Sequence, residues 1–230
     1  MKSRFIVLAC SYKYGERCIA GIDLKLKKII RLVSNNKESN YAIPKQECYI
    51  NGKSLMPLDV IDIELGEKAP TSGAQTENYF VSFPLIKAYI GRANEELIKP
   101  YRFKSDKSPY PFDTKDPFLS HGAYYHKDYS LCLVQAYSLS IKTIKNSEGK
   151  FKTKISFDVY KYNKEKVTLV DYSVTDPNYM IFDGTNKTGK ETIGKAWLLI
   201  SLGQDDCSDN YYKYVSGIID VSKPMVDFFE

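Results

Sequence analysis

The sequence predicts a mainly β protein, a barrel or a pair of barrels, and three observations carry that expectation. The first is a repeated local pattern. Arg4 to Asp23 runs as an apolar strand, a polar loop and a second strand closing on Ala20-Gly21-Ile22-Asp23. Trp197 to Asp220 repeats the pattern and closes on Ser216-Gly217-Ile218-Ile219-Asp220. Two hairpins of one design point to a chain built from two related β units. The second observation is the 19 Tyr among 230 residues. Tyr favours strands, where one face of the ring packs and the hydroxyl reaches water. The third is the scarcity of helix signals beside many short apolar runs separated by Gly-marked turns.

Taken in order, the first hairpin is followed by Lys27 to Val33, a third strand with Arg31 as the charged side chain inside it, ended by Ser34-Asn35-Asn36. After a polar stretch to Gln46, Leu58 to Leu65 alternates apolar with acidic residues, a strand with one wet face and a candidate outer strand of a barrel. Pro70 to Ala74 is a turn-rich break before Gln75-Thr76-Glu77-Asn78 and the apolar Tyr79-Phe80-Val81. Arg92 to Lys99 has helix-favouring composition until Pro100 stops it. Residues 101–129 concentrate Pro and aromatics and hold both His, which marks an ordered connecting segment between two β units. Ser130 to Ala136 opens the second β region, and Ser138–Lys145 and Phe151–Tyr160 flank the turn signal Asn146-Ser147-Glu148-Gly149. In the second arm Phe151, Thr153, Ile155, Phe157 and Val159 are expected to share one face, and Lys152, Lys154, Ser156, Asp158 and Tyr160 the other. Val167 to Tyr172 adds a strand ended by Ser173-Val174-Thr175-Asp176-Pro177, and a Gly, Thr and Lys loop from 184 leads into the closing hairpin.

Composition narrows the function classes. Hydrophobic residues make up 43% and charged residues 27%, an ordinary globular balance. A formal net charge of +5 is mildly basic, short of a dedicated nucleic-acid module. Most of the positive charge is Lys, so Arg4, Arg17, Arg31, Arg92 and Arg102 carry more information, guanidinium being the better bidentate reader of phosphate and bases. Cys10, Cys18, Cys48, Cys132 and Cys207 are scattered and form no C-x-x-C pair, which fits a reduced cytoplasmic setting without disulfides or a zinc site. No apolar run approaches a membrane span or a signal-peptide core.

Catalytic motifs are wanting. Gly184 to Lys190 has the glycine spacing of a phosphate loop, but Glu191 stands where Ser or Thr must hold magnesium. His121 and His126 are five apart with no completing ligand set, and no nucleophile elbow, zinc-protease or dinucleotide motif is present. What remains is a set of polar groups at strand ends: Ser11, Lys13, Arg17, Arg31, Gln75 and Asn78, with His121, Thr175 and Asp176 from the second half. Hydroxyls, amides and a few cations without a nucleophile–base pair suit recognition rather than catalysis. Lys142, Lys145, Lys150, Lys152 and Lys154 on one hairpin would track a phosphate backbone or, equally, keep a sheet soluble.

Several short blocks resemble one family. Ser11, Lys13, Arg17-Cys18-Ile19-Ala20-Gly21, then Arg31, Val33 and Ser34, look like the N-terminal signature of the dual OB-containing domain proteins of prokaryotes. Pro57-Leu58-Asp59-Val60, Gln75-Thr76-Glu77-Asn78, Ser173-Val174-Thr175-Asp176-Pro177, Ser201-Leu202-Gly203 and Tyr212-Lys213 match its later blocks in order. Tyr12 departs from the pattern, where Arg is expected beside the Lys, and 101–129 matches only loosely beyond His121-Gly122. The resemblance implies two tandem OB-like barrels, at 1–100 and 130–230, joined by 101–129. It also implies nucleic-acid binding as an accessory component of a prokaryotic conflict or defence system, with no established catalytic residues.

The function these readings favour is a non-enzymatic nucleic-acid or oligonucleotide recognition module. Its contacts would be Ser11, Lys13, Arg17, Arg31, Gln75, Asn78, His121, Thr175 and Asp176, with Tyr14, Tyr124, Tyr125 and Tyr160 as stacking platforms. Two alternatives stand beside it: a nucleotide sensor with a closed pocket, and a nucleic-acid-processing enzyme with His121 as general base and Asp176 as its partner. The expected partners are single-stranded nucleic acid or a nucleotide, and an effector protein. No membrane, cofactor or metal is expected.

Overall fold

The computed structural model describes residues 1–70, 75–104, 108, 110–145, 151–160, 165–177, 190–204 and 210–221. The turn at 146–149, Lys150, the glycine-spaced loop at 184–189 and Asp205-Asp206 lie outside them. The protein is mainly β and divides into two compact units, Met1–Tyr101 and one beginning at Arg102.

In the first unit the strands are β1 (Lys2–Lys13), β2 (Glu16–Asp23), β3 (Lys28–Val33), the short pair β4 (Tyr49–Ile50) and β5 (Lys53–Ser54), β6 (Asp59–Lys68), β7 (Asn78–Val81) and β8 (Ala88–Arg92). The pairings run β1-β2-β3-β7-β6 and return from β6 to β1, closing a five-stranded barrel; all are antiparallel except β3 with β7. Tyr14 (φ 49°) and Gly15 (φ 84°) make the tight turn between β1 and β2, both in the left-handed region that a two-residue hairpin of this type needs. Phe5, Val7, Cys10, Ile19, Ile30, Leu32, Ile61, Ile63 and Leu65 fill the interior. A bulge between Val7 and Ala9 lets Val7 and Cys10 both face inward although they are an odd number apart.

Leu58 to Leu65 is not an outer strand. β6 pairs with β1, β7 and β8, and its first acidic residue, Asp59, is buried 3.7 Å from Arg92 of β8. The alternation marked a strand but could not count its neighbours. The helical reading of 92–99 becomes a single turn, α1 (Glu95–Ile98), with Asn94 accepting a hydrogen bond from the Leu97 amide at its start.

The second unit contains β9 (Phe118–Leu119), α2 (His121–Tyr125), β10 (Leu131–Lys145), β11 (Phe151–Tyr160), β12 (Lys166–Val174), β13 (Lys190–Gln204) and β14 (Tyr211–Asp220). The pairings run β10-β11-β12-β14-β13 and back to β10, again a closed ring of five with one parallel pair, β12 with β14. β10 merges two stretches that read as separate in sequence, because Ser138 (φ 49°) bulges inside one continuous strand. Leu198, Leu199 and Ile200 are all buried, so β13 is covered on both faces and reads as an unbroken apolar run.

The two end hairpins that suggested duplication are not counterparts. β1–β2 is the first hairpin of its barrel, whereas β13–β14 is the last of the other, equivalent in order to β6–β7. The inference of two related β units survives, but the echo that prompted it compares different parts of the two rings. Among the described residues, no helix is long and apolar enough to cross a membrane.

Candidate nucleic-acid interface

Six of the nine residues singled out in the sequence lie in the first unit. Alternation along β1 and β2 sets Ser11 and Lys13 on the same side as Cys18, away from the core residues Cys10 and Ile19. Register then extends this side across the sheet, with Ala20 opposite Arg31 and Arg31 opposite Asn78. Arg31 Nη1 donates to Asn78 Oδ1 at 2.8 Å, and Asn78 Nδ2 donates to Gln75 Oε1 at 3.3 Å. The Arg31 amide donates to the Glu77 carbonyl at 2.9 Å, which fixes the segment carrying Gln75 and Asn78 against β3. Ser11 Oγ donates to the Cys18 carbonyl at 3.3 Å, and Lys13 Nζ to the Asn40 carbonyl at 2.7 Å.

Lys13 and Arg31 also sense each other. Burial pushes the Lys13 ammonium below the ordinary lysine value; Cys18 opposes this, and the nearby Arg31 charge adds to it. Ser11 and Arg31 are buried, whereas Lys13, Gln75 and Asn78 are half-buried. Arg31 therefore acts by holding Asn78 and by its field, while Lys13, Gln75 and Asn78 keep part of their surface open.

Arg17 does not join them. It shares its side of β2 with Ile19 and lies near Cys48 of the core. Its backbone pairs with Ile43 and its Nη1 donates to the Glu16 carbonyl at 3.2 Å. At the tip of the same hairpin Tyr14 is 60% exposed beside Lys13, whereas Tyr12, 39% exposed, is the cross-strand partner of Arg17 and shares its side.

In the second unit, His121, Thr175 and Asp176 are not one site. His121 begins α2, with its ring 4.7 Å from Tyr125 and 6.0 Å from Tyr211. Asp176 is buried and accepts a hydrogen bond from the Ile218 amide at 2.9 Å, while the Thr175 amide donates to the Val215 carbonyl at 3.0 Å. Tyr211 and Ile218 are separated by seven positions of β14, about 20 Å of strand, so His121 and Asp176 cannot form an acid–base pair. Asp176 is a structural acceptor. Of the proposed platforms, Tyr125 and Tyr160 are exposed, but Tyr124 is buried and stacked on Tyr211 at 3.4 Å.

One residue of consequence was missed. Lys213, matched in sequence only as part of a family block, is 1% exposed inside the second barrel. Its Nζ donates to the Thr114 carbonyl and, at 3.3 Å, to the Tyr172 hydroxyl, and sits 5.6 Å from the Tyr172 ring centroid. The signal was available: Tyr211, Lys213 and Val215 alternate on the inward side of β14.

A closed five-stranded ring in which the third and last strands pair in parallel, met twice along one chain, defines a tandem of OB barrels. The chain belongs to the dual OB-containing domain family, whose model matches residues 3–218. No curated protein matches it. A murine DNA-binding protein, solved bound with double-stranded DNA, is similar over 96% of this chain and 98% of that chain, at 8% identity and a TM-score of 0.33. So shallow a likeness carries no weight for the ligand.

Proposed function

We propose that this protein binds single-stranded nucleic acid across the outer side of its first barrel, with Lys13, Gln75 and Asn78 as polar contacts and Tyr14 as a stacking ring. One observation carries the reading. Lys13, Arg31, Asn78 and Gln75, which lie up to 65 positions apart in sequence, are gathered beside the β1–β2 turn and the segment between β6 and β7. In an OB barrel, those loops and the second and third strands are where oligonucleotides bind. A cation already pushed toward losing its proton gains from an incoming phosphate, and the exposed Tyr14 ring at the turn offers stacking without sequence preference. His121, Thr175 and Asp176 have no part in this surface. The domain limits at 1–100 and 130–230 and service as an accessory to a prokaryotic defence effector belong to the same proposal and rest on the family resemblance; a cytoplasmic setting belongs to it too and rests on the scattered, unpaired cysteines.

Salt tests it. Affinity for a fluorescent single strand, measured from about 50 to 200 mM salt, should fall with a slope of several units on a log–log plot, because each phosphate contact releases a counterion. Lys13→Gln should lower that slope by about one. A shallow slope would instead favour a nucleotide held in a closed pocket, and no binding at the lowest salt would end the proposal.

A further inference from the structure

We propose that a pocket beside α2 in the second unit takes a single nucleobase carrying an exocyclic amino group. This rests on the nucleic-acid reading only for the source of the base. The pocket has a volume of about 490 Å³, within the range of small-ligand sites, and its lining includes Asp113, Thr114, Asp116, Phe118, His126 and Lys127. All of these come from the segment preceding β10, outside the five-stranded ring, so the site is an addition to the barrel.

The wall chemistry selects the ligand. Lys127 Nζ lies 2.7 Å from Asp113 Oδ2, and these two charges cancel. Asp116 forms no ion pair among the described residues. The Thr114 hydroxyl donates to Asp116 Oδ2 at 3.1 Å, and the Asp116 amide donates to Thr114 Oγ1 at 3.1 Å. The carboxylate is thereby oriented, with Oδ1 left to accept. That carboxylate faces the field of the buried Lys213 ammonium from behind, and on the pocket side it is an oriented acceptor that favours a neutral group with N–H donors.

Phe118 supplies the other half of the recognition. It is 41% exposed in the pocket wall, with its ring 6.1 Å from Tyr212 of β14, a flat apolar surface for a base to stack on. The frame is held from behind. β9 pairs with β14, the Lys213 amide donates to the Pro117 carbonyl at 2.8 Å, and Phe112 is buried in a stack with Tyr129 at 5.2 Å. A base lying on Phe118 and donating an amino N–H to Asp116 satisfies both walls. Cytosine does this through its N4 group, whereas uracil presents a carbonyl to the carboxylate and is repelled.

The test compares cytidine with uridine as free nucleosides, and homopolymers of deoxycytidine with deoxyuridine of about twelve residues, the span of one OB barrel. Each is titrated against the wild-type protein, Asp116→Asn and Phe118→Ala, with thermal melting to confirm that the variants fold. The expected result is about a tenfold preference for the cytosine ligand, abolished in Asp116→Asn, with Phe118→Ala weakening both bases. Preference among nucleosides alone assigns the pocket to a free nucleotide; preference only in homopolymers assigns it to a strand. Strands that bind without base preference would overturn the pocket and leave the nucleic-acid reading intact. Nucleoside preference without any strand binding would overturn that reading and leave the pocket, and a preference retained in Asp116→Asn would overturn the assignment of Asp116.

Discussion

Lys213 places its ammonium in the interior of a barrel with a carbonyl and a phenol as hydrogen-bond partners, and its protonation is sensitive to that setting. Burial pushes it from 10.5 down to about 7, against the opposing pull of Cys132 and Asp116. The unfolded chain therefore holds one more proton than the folded chain between those two values. Stability contributed through this group rises with pH across that window, by up to roughly 1.4 kcal/mol per pH unit. The urea midpoint of the wild type should rise between about pH 7 and 8 relative to that of Lys213→Met, a range that lies below the ordinary midpoints of Cys and Tyr titration. A difference between the two proteins that is flat with pH would show that Lys213 keeps its proton. Alternation along β14 made the inward direction of this residue legible. Its partners were not legible, because Thr114 and Tyr172 are 99 and 41 positions away.

At the scale of elements, the β1–β2 hairpin depends on how closely its strands approach. A Cβ added at Gly21 would lie 2.0 Å from the Ile6 carbonyl oxygen and 2.8 Å from carbons of the Phe5 ring. Since the first obstacle is backbone, the strands would have to part, and Gly21→Ala should cost about 3 kcal/mol or more in chemical denaturation. A loss under about 1 kcal/mol would mean that the hairpin can shift without opening the barrel. Strands of this kind were readable from their apolar runs, but most of the stretch read as a polar loop between them is strand, and the turn is confined to Tyr14-Gly15. Neighbours were harder. The acidic stripe of β6 is wet at Asp62 and Glu64, but Asp59 is buried against Arg92, a partner 33 positions later that the alternation could not reveal. The two end hairpins looked equivalent because hairpins share a local pattern wherever they fall in a ring. Periodicity reports which side of a strand is apolar, not which strand lies beside it.

For the whole molecule, the tandem of OB barrels followed from family blocks spread along the chain, and the structure supplies the two closed rings. The candidate site was partly legible in the same blocks. Lys13, Arg31, Gln75 and Asn78 lie within two of them and meet through the parallel pairing of β3 and β7. Arg17, one position from Cys18, lies on the other side of β2, because strand alternation sends neighbouring side chains to opposite sides. The pocket walls come from 101–129, which its Pro, aromatics and both His marked as an ordered segment, but a stretch without strand or helix periodicity could not show which of its side chains meet. The central claim is that the outer side of the first barrel receives a single strand. Amide chemical-shift mapping of the isotopically labelled protein, titrated with an unlabelled oligonucleotide, tests it most directly. Shifts concentrated at 11–18, 31 and 75–78 are predicted; shifts confined to β8 and α1, with none at Lys13 or Asn78, would contradict it.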